Sequence, residues 1–353
     1  MQKPNQINIK ALSIQECELL KSIDRSDKVR AAWQINNDGV RSLDFTYLDI
    51  EGYGFYVTTC IEILRNVIAQ GGIVFGAFED SNIVGIASVL PTPDGIEDFS
   101  VLVSIDVSQK YRRKGIGRIL LDKCAEHSKS AKCSTLLVAA NPYESTVKFL
   151  KSYGFLYTQN PHNKSLIQKH LFFPKFEFPP PFGANIEQPI FMELPLNEYR
   201  DKNYFCSRIT LDEITGHNCY GATRLTVTDE QKFSFGDNPV YFMATYRYDW
   251  MGENHKILLA CFDTFPVGFI GYGKNDEKSV FIEPFMVDSS FQKRGISTKI
   301  LELFEQRIRA TNKYEAIAIG NRTDNIAAAK TYEKAGFVLT KLDGLSTYRD
   351  KNL

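Results

Sequence analysis

Residues 7–12 alternate between apolar and polar, which predicts an edge strand, and the period then lengthens. Ser13 stands before Ile14, Cys17, Leu20 and Ile23, a helical spacing with a capping residue at its start. From there to about Gln70 the chain reads as mainly helical, with a polar interruption over residues 36–39. Two apolar runs, 73–78 and 83–90, flank a turn-rich break and predict a hairpin. A strand at 101–107, a helix from Ile116, a strand at 135–139 and a helix ending near Tyr153 follow. The aromatic and proline-rich residues 172–181 read as a long hairpin loop, because proline clusters exclude regular structure and 190–194 still reads as a strand. A second series opens with a strand at 204–209 and a helix around 212–225, and continues with strands at 257–262 and 267–272.

Within this pattern one unusual segment occurs twice. Val103-Ser104-Ile105-Asp106-Val107 leads through Tyr111 to Arg112-Arg113-Lys114-Gly115-Ile116-Gly117; 180 residues later Phe285-Met286-Val287 leads through Phe291 to Gln292-Lys293-Arg294-Gly295-Ile296-Ser297. In each copy an apolar strand enters a basic, glycine-containing turn that opens an amphipathic helix. The first amides of such a helix have no intrahelical acceptor and carry the positive end of its dipole, so each turn is a candidate anion cradle. A second shared piece follows: a short strand, a polar loop with Asn141 or Asn321, and a helix ending in Gly154-Phe155 or Gly336-Phe337. Two such blocks imply a duplicated domain, and 353 residues suffice for two cores. The boundary is expected near residues 197–203, giving domains 1–198 and 199–353.

The pattern [Gln/Arg]-x-x-Gly-x-[Gly/Ala] after an apolar strand, then Asn-x-x-Ala-x-x-x-Tyr-x-x-x-Gly-Phe, resembles the GCN5-related N-acetyltransferase (GNAT) family. The second copy carries the latter part letter for letter in Asn325, Ala328, Tyr332, Gly336 and Phe337. The Rossmann fingerprint fits less well, because its later acidic ribose partner is missing. The resemblance implies an α/β fold of two tandem domains, each a mixed, mostly antiparallel twisted sheet flanked by helices. It also implies acetyl-CoA as co-substrate, and the order of elements in the second half is similar to bacterial polyamine N-acetyltransferases. As implied cofactor-binding residues it marks Met286, Val287, Gln292, Lys293, Arg294, Gly295, Ile296, Ser297 and Asn325. In the first copy it marks Val107, Arg112, Arg113, Lys114, Gly115, Ile116 and Gly117.

The chemistry needs a neutral amine and an acid for the departing thiolate. A primary alkylammonium has a pKa near 10, so a carboxylate or ordered water must take its proton. Glu283, two residues before Phe285, is the expected base, and Tyr332 matches the family's proton donor to sulfur. The first copy has Leu150 four residues before its Gly154, and valines at 101 and 103. Catalysis is therefore expected in the second domain, with the first as a cofactor-binding or structural partner.

Between residues 211 and 288 twelve acids face six Lys or Arg; between 289 and 334 five acids face nine. An acidic substrate half beside a basic cofactor half suits a small cationic amine, with Gln231, Asn238 and Tyr241 as candidate hydrogen-bonding groups. Acetylation of an antibiotic or a protein lysine, and a non-enzymatic acyl-CoA-binding module, are the alternatives. Lys plus Arg equals Asp plus Glu at 42 each, which argues against a nucleic-acid partner. The seven cysteines are scattered without metal-ligand spacing, so no metal is expected. No apolar stretch is long enough to span a bilayer and the start lacks a signal-peptide core, so a cytoplasmic monomer or homodimer is expected.

Overall fold

The computed structural model describes residues 7–35, 41–50, 57–92, 98–158, 163, 189–215, 218–232 and 255–353. The chain divides into two compact units: Met1–Gln34 with Asp44–Arg200, and Ile35–Leu43 with Asp201–Leu353. The expected loop at 172–181, and Asn238 and Tyr241, lie outside the described residues.

In the first unit β1 (Ile7–Ala11) is followed by a 3-10 helix, Gln15–Ser22, entered through reciprocal bonds of Ser13 and Glu16. The expected helical stretch to Gln70 is corrected: β2 (Asp27–Ile35) and β3 (Arg41–Ile50) form a separate two-stranded sheet, and among the described residues of the stretch α1 (Val57–Ala69) is the α-helix. The β-branched and aromatic residues of 27–50 suit a pleated surface better than a helix. Then come β4 (Ile73–Glu79), β5 (Asn82–Pro91), β6 (Phe99–Val107), α2 (Ile116–Ser130), β7 (Thr135–Ala140), α3 (Glu144–Tyr153), β8 (Leu156–Tyr157) and β9 (Ile190–Pro195). The seven-stranded sheet runs β1-β4-β5-β6-β7-β9-β8. Only β6 and β7 are parallel; a helix carries that crossover, as the longer connection requires.

The second unit repeats the plan. β10 (Ile209–Glu213), the short α4 (Cys219–Ala222), β11 (Lys256–Phe262), β12 (Phe265–Lys274), β13 (Ser279–Val287), α5 (Ile296–Arg309), β14 (Ala316–Arg322), α6 (Ile326–Lys334), β15 (Val338–Asp343) and β16 (Ser346–Asn352) follow in order. Their sheet runs β10-β11-β12-β13-β14-β16-β15, with β13 and β14 parallel. Two expectations change here. The strand at 204–209 is a 3-10 turn, Cys206–Arg208, leading into β10, and the long helix at 212–225 shrinks to α4.

The central helices explain the amphipathic reading. Ile116, Leu120, Leu121, Cys124 and Ala125 of α2 and Ile296, Ile300, Leu301, Phe304 and Ile308 of α5 are buried, a stripe at helical spacing on each. Gly268 lets β12 lie close to β13, since a Cβ there would meet the Met286 carbonyl oxygen at 2.4 Å.

Candidate active site

Each strand that precedes a cradle ends in the same geometry. Arg113 (φ 64) and Gly115 (φ 85), and in the second unit Lys293 (φ 62) and Gly295 (φ 80), take left-handed backbone conformations. Glycine adopts that region without steric cost, whereas arginine and lysine are held there by their surroundings. Among the described residues, the main-chain amides from Arg113 to Gly117, and those of Lys293, Gly295, Ile296 and Ser297, donate to no other main-chain carbonyl. Donors thus gather at the start of α2 and of α5, a concavity suited to a phosphate-bearing group.

The side chains of Arg112 and Gln292 bond within their own turns. Arg112 Nε donates to the Val107 carbonyl at 3.1 Å and its guanidinium pairs with Asp27. Gln292 Nε2 donates to the Val287 carbonyl at 2.9 Å and to Gln231 Oε1 at 2.8 Å. Both side chains therefore lock the turn to the strand end, and Gln231 is spent on the same lock. The Arg294 guanidinium lies over the Phe205 ring, 4.1 Å from its centroid. Lys293, Arg113 and Lys114 are exposed, and Ile116 and Ile296 are buried beneath the turns. Gly117 has a local reason: a Cβ there would come 3.0 Å from the Phe149 ring. Thr331 occupies the matching place on α6, where the second unit carries Ser297.

Beside each cradle the sheet opens. Parallel pairing of β13 with β14 ends at Ile282↔Ile319, and that of β6 with β7 at Val101↔Leu137. The Asp288 amide donates to the Val267 carbonyl at 2.8 Å and the Ser108 amide to the Val84 carbonyl at 2.9 Å. In an antiparallel ladder the preceding residue then turns its own amide the other way. The amides of Val287 and Val107 accordingly face the opened side, next to the cradles. Met286, between two such positions, is buried.

Glu283 sits at an irregularity of β13, where pairing with β12 shifts between Ile270 and Tyr272. Such a bulge re-aims a side chain. His255 holds it from below: its Nε2–H donates to the Glu283 carbonyl at 2.6 Å, and its ring occupies the space a Cβ on Gly273 would need. Tyr332, on α6, is buried, 6.4 Å from the Phe285 ring centroid. Burial pushes its phenol well above the usual tyrosine value; the charge of Arg349 pulls it down and that of Glu283 pushes it up. The phenol thus holds its proton within reach of the carboxylate's field, and no described residue hydrogen-bonds it. Tyr332 stands against Phe285, two residues along β13 from Glu283; Asn325 uses its side-chain oxygen to cap α6, accepting from the Ala328 amide at 3.1 Å.

Sequence reasoning missed Arg349. It is 5 % exposed and donates to Asn321 Oδ1 (2.8 Å), Thr347 Oγ1 (3.0 Å) and Glu333 Oε1 (3.0 Å). One arginine in a short alternating strand gives no signal by itself. In the first unit the corresponding positions hold Val103 for Glu283 and a buried Leu150 for Tyr332. Among the described residues no group of three or more His, Cys, Asp or Glu is placed to hold a metal ion.

Residues 43–155 and 224–337 each match the acetyltransferase (GNAT) family, together well over half of the chain. No curated protein matches the chain. Among solved structures it is similar to nourseothricin acetyltransferase, with 14 % identity over 54 % of this chain and 98 % of that one, at a TM-score of 0.35. It is also similar to a GNAT acetyltransferase from Elizabethkingia anophelis with acetyl-CoA bound (17 %, 42 % and 99 %, TM-score 0.31). A third is PaiA N-acetyltransferase from Thermoplasma acidophilum in complex with coenzyme A (13 %, 41 % and 99 %, TM-score 0.32). With two complete copies of the strand, cradle and helix arrangement and a family match over each, the chain belongs to the GNAT family of acetyl-CoA-dependent acetyltransferases.

Proposed function

We propose that the second unit transfers an acetyl group from acetyl-CoA to the primary amine of a small cationic, polyamine-like acceptor, and that the first unit is non-catalytic. The observation that carries this reading is the buried phenol of Tyr332 against the Phe285 ring, two residues along β13 from Glu283, where the first unit has Leu150 and Val103.

The residues present fit acetyl-CoA. The amides of Lys293, Gly295, Ile296 and Ser297 at the start of α5, with the exposed Lys293 side chain beside them, would hold the pyrophosphate. The Val287 amide, turned toward the opened side, would hold the pantetheine arm and the thioester oxygen. Preorganised donors of this kind contribute roughly 3 to 4 kcal/mol to acyl transfer elsewhere. Glu283 would accept the proton of the incoming ammonium, directly or through water. Tyr332 keeps its phenolic proton through the neutral range and would hydrogen-bond the sulfur as the C–S bond breaks. The excess of acids over bases in 211–288 and of bases over acids in 289–334 supports a cationic acceptor on one side and a phosphate on the other.

The test is CoA release by the full chain against spermidine, spermine, diamines, aminoglycosides and lysine peptides. Amine-dependent release confined to the small polyamines is the expected result. Release confined to aminoglycosides or peptides would overturn the acceptor; acetyl-CoA binding with no release against any amine would overturn the transfer reading.

A further inference from the structure

The polar cluster behind Tyr332 is costly. A buried guanidinium loses several kcal/mol of hydration, and a well-packed apolar replacement is often neutral or stabilising. The Arg349 Nε is buried with no hydrogen-bond partner, so the cluster is not even fully satisfied.

The first unit shows that this fold does not need it. Arg349 lies opposite Ile319 and Thr347 opposite Asn321 in the β14–β16 ladder. The β7–β9 ladder puts Met192 opposite Val138 and Ile190 opposite Ala140. Aligned through the parallel pairs Ser279↔Ala316 and Phe99↔Thr135, the triad Asn321, Thr347 and Arg349 corresponds to Ala140, Ile190 and Met192. Those three are 3 %, 1 % and 0 % exposed, an apolar packing of the same place. The copy that has lost the phenol, with Leu150, also lacks the arginine. Glu333, which receives the Arg349 charge, directly follows Tyr332, so the ion pair ties α6 at the phenol to the β14–β16 pair.

Resting on the assignment of Tyr332 as the group that meets the sulfur, we propose that Arg349 is its positioning residue: it fixes α6 against the sheet and keeps a positive charge beside the phenol. The arginine acts through Tyr332 and touches no substrate.

Arg349→Met in the full chain, copying the first unit, tests this; the triple change Asn321→Ala, Thr347→Ile and Arg349→Met supplies the whole apolar packing if the single variant does not fold. Turnover at saturating acetyl-CoA is expected to fall about tenfold or more, with the acetyl-CoA dissociation constant within about twofold. In a Tyr332→Phe background the same change should have little further effect, because residues that act as a unit are non-additive. An equal loss in both backgrounds, or unchanged turnover, overturns the proposal. A second readout does not need an acceptor. With ring-carbon-labelled tyrosine, the Tyr332 resonance, identified by its loss in Tyr332→Phe, should shift in Arg349→Met. A resonance that stays put overturns the positioning role. A shift without wild-type turnover on any amine would overturn the transfer reading and leave the positioning intact.

Discussion

Tyr332 is a buried phenol kept neutral by burial, with a carboxylate and a guanidinium pulling in opposite directions. Tyr332→Phe removes the hydroxyl and little packing, so turnover should fall by about two orders of magnitude, in the range for a positioned acid, while acetyl-CoA affinity holds. If Leu150 has disabled the first unit, almost no turnover will remain in that variant; a residue of half or more would assign catalysis to the first unit. Glycine positions carry a second prediction. Gly268→Ala places a Cβ 2.4 Å from the Met286 carbonyl oxygen, a main-chain atom that cannot swing away, and should cost about 1–3 kcal/mol in denaturant unfolding. Gly85→Ala meets the Asp106 oxygen at 3.1 Å and should cost less.

At the scale of elements, the two ends of the site are held by short side-chain bonds. Asn325 caps α6, the helix that carries Tyr332, and Asn325→Ala should cost about 1 kcal/mol by thermal unfolding. Asp288, fully buried at the end of β13, accepts from the Thr226 amide at 2.7 Å and the Ser290 amide at 2.9 Å, pinning the entry to the cradle. The first unit does this with Ser108, which accepts from the Asp24 amide at 3.1 Å. Asp288→Ala takes the buried acceptor away from the half-buried Thr226 and Ser290 amide bonds. A loss of roughly 2 kcal/mol or more and weaker acetyl-CoA binding are expected, and calorimetry with binding isotherms would show both. Several of these elements were legible in advance because helical stripes and turn residues are local. The β2–β3 sheet was not, because short β-branched runs fit either period and only pairing between strands decides.

Across the whole molecule, buried proton-holding groups in both units shape the response to alkali. Burial pushes up the thiols of Cys124 and Cys261 and the phenols of Tyr153 and Tyr332, Tyr153 also through Tyr199 and Asp122. Each binds its proton more tightly folded than unfolded, so stability is whole below the unfolded values, about 8.5 for Cys and 10 for Tyr, and is lost as pH rises through them. The thermal midpoint should fall steadily between about pH 8.5 and 11 and stay level from about 7 to 8; a flat profile to pH 11 would contradict the burial of these groups.

The duplication, the two cradles and the phenol were all present in the order of residues, because a turn, a helix start and a four-residue spacing are set by neighbours in the chain. Arg349, Thr347 and His255 carried no local mark. Their meaning comes from register: which residue of β16 stands across from Ile319, and which carbonyl of a bulged strand meets an imidazole. The side chains of Arg112 and Gln292 bond the strand end five residues back, and Asn325 accepts from the amide three residues on, contacts set by the local turn of each segment. Covalent neighbourhood dictated the family and the candidate groups, and long-range strand pairing, whose partners lie far apart in the chain, decided what stands around those groups.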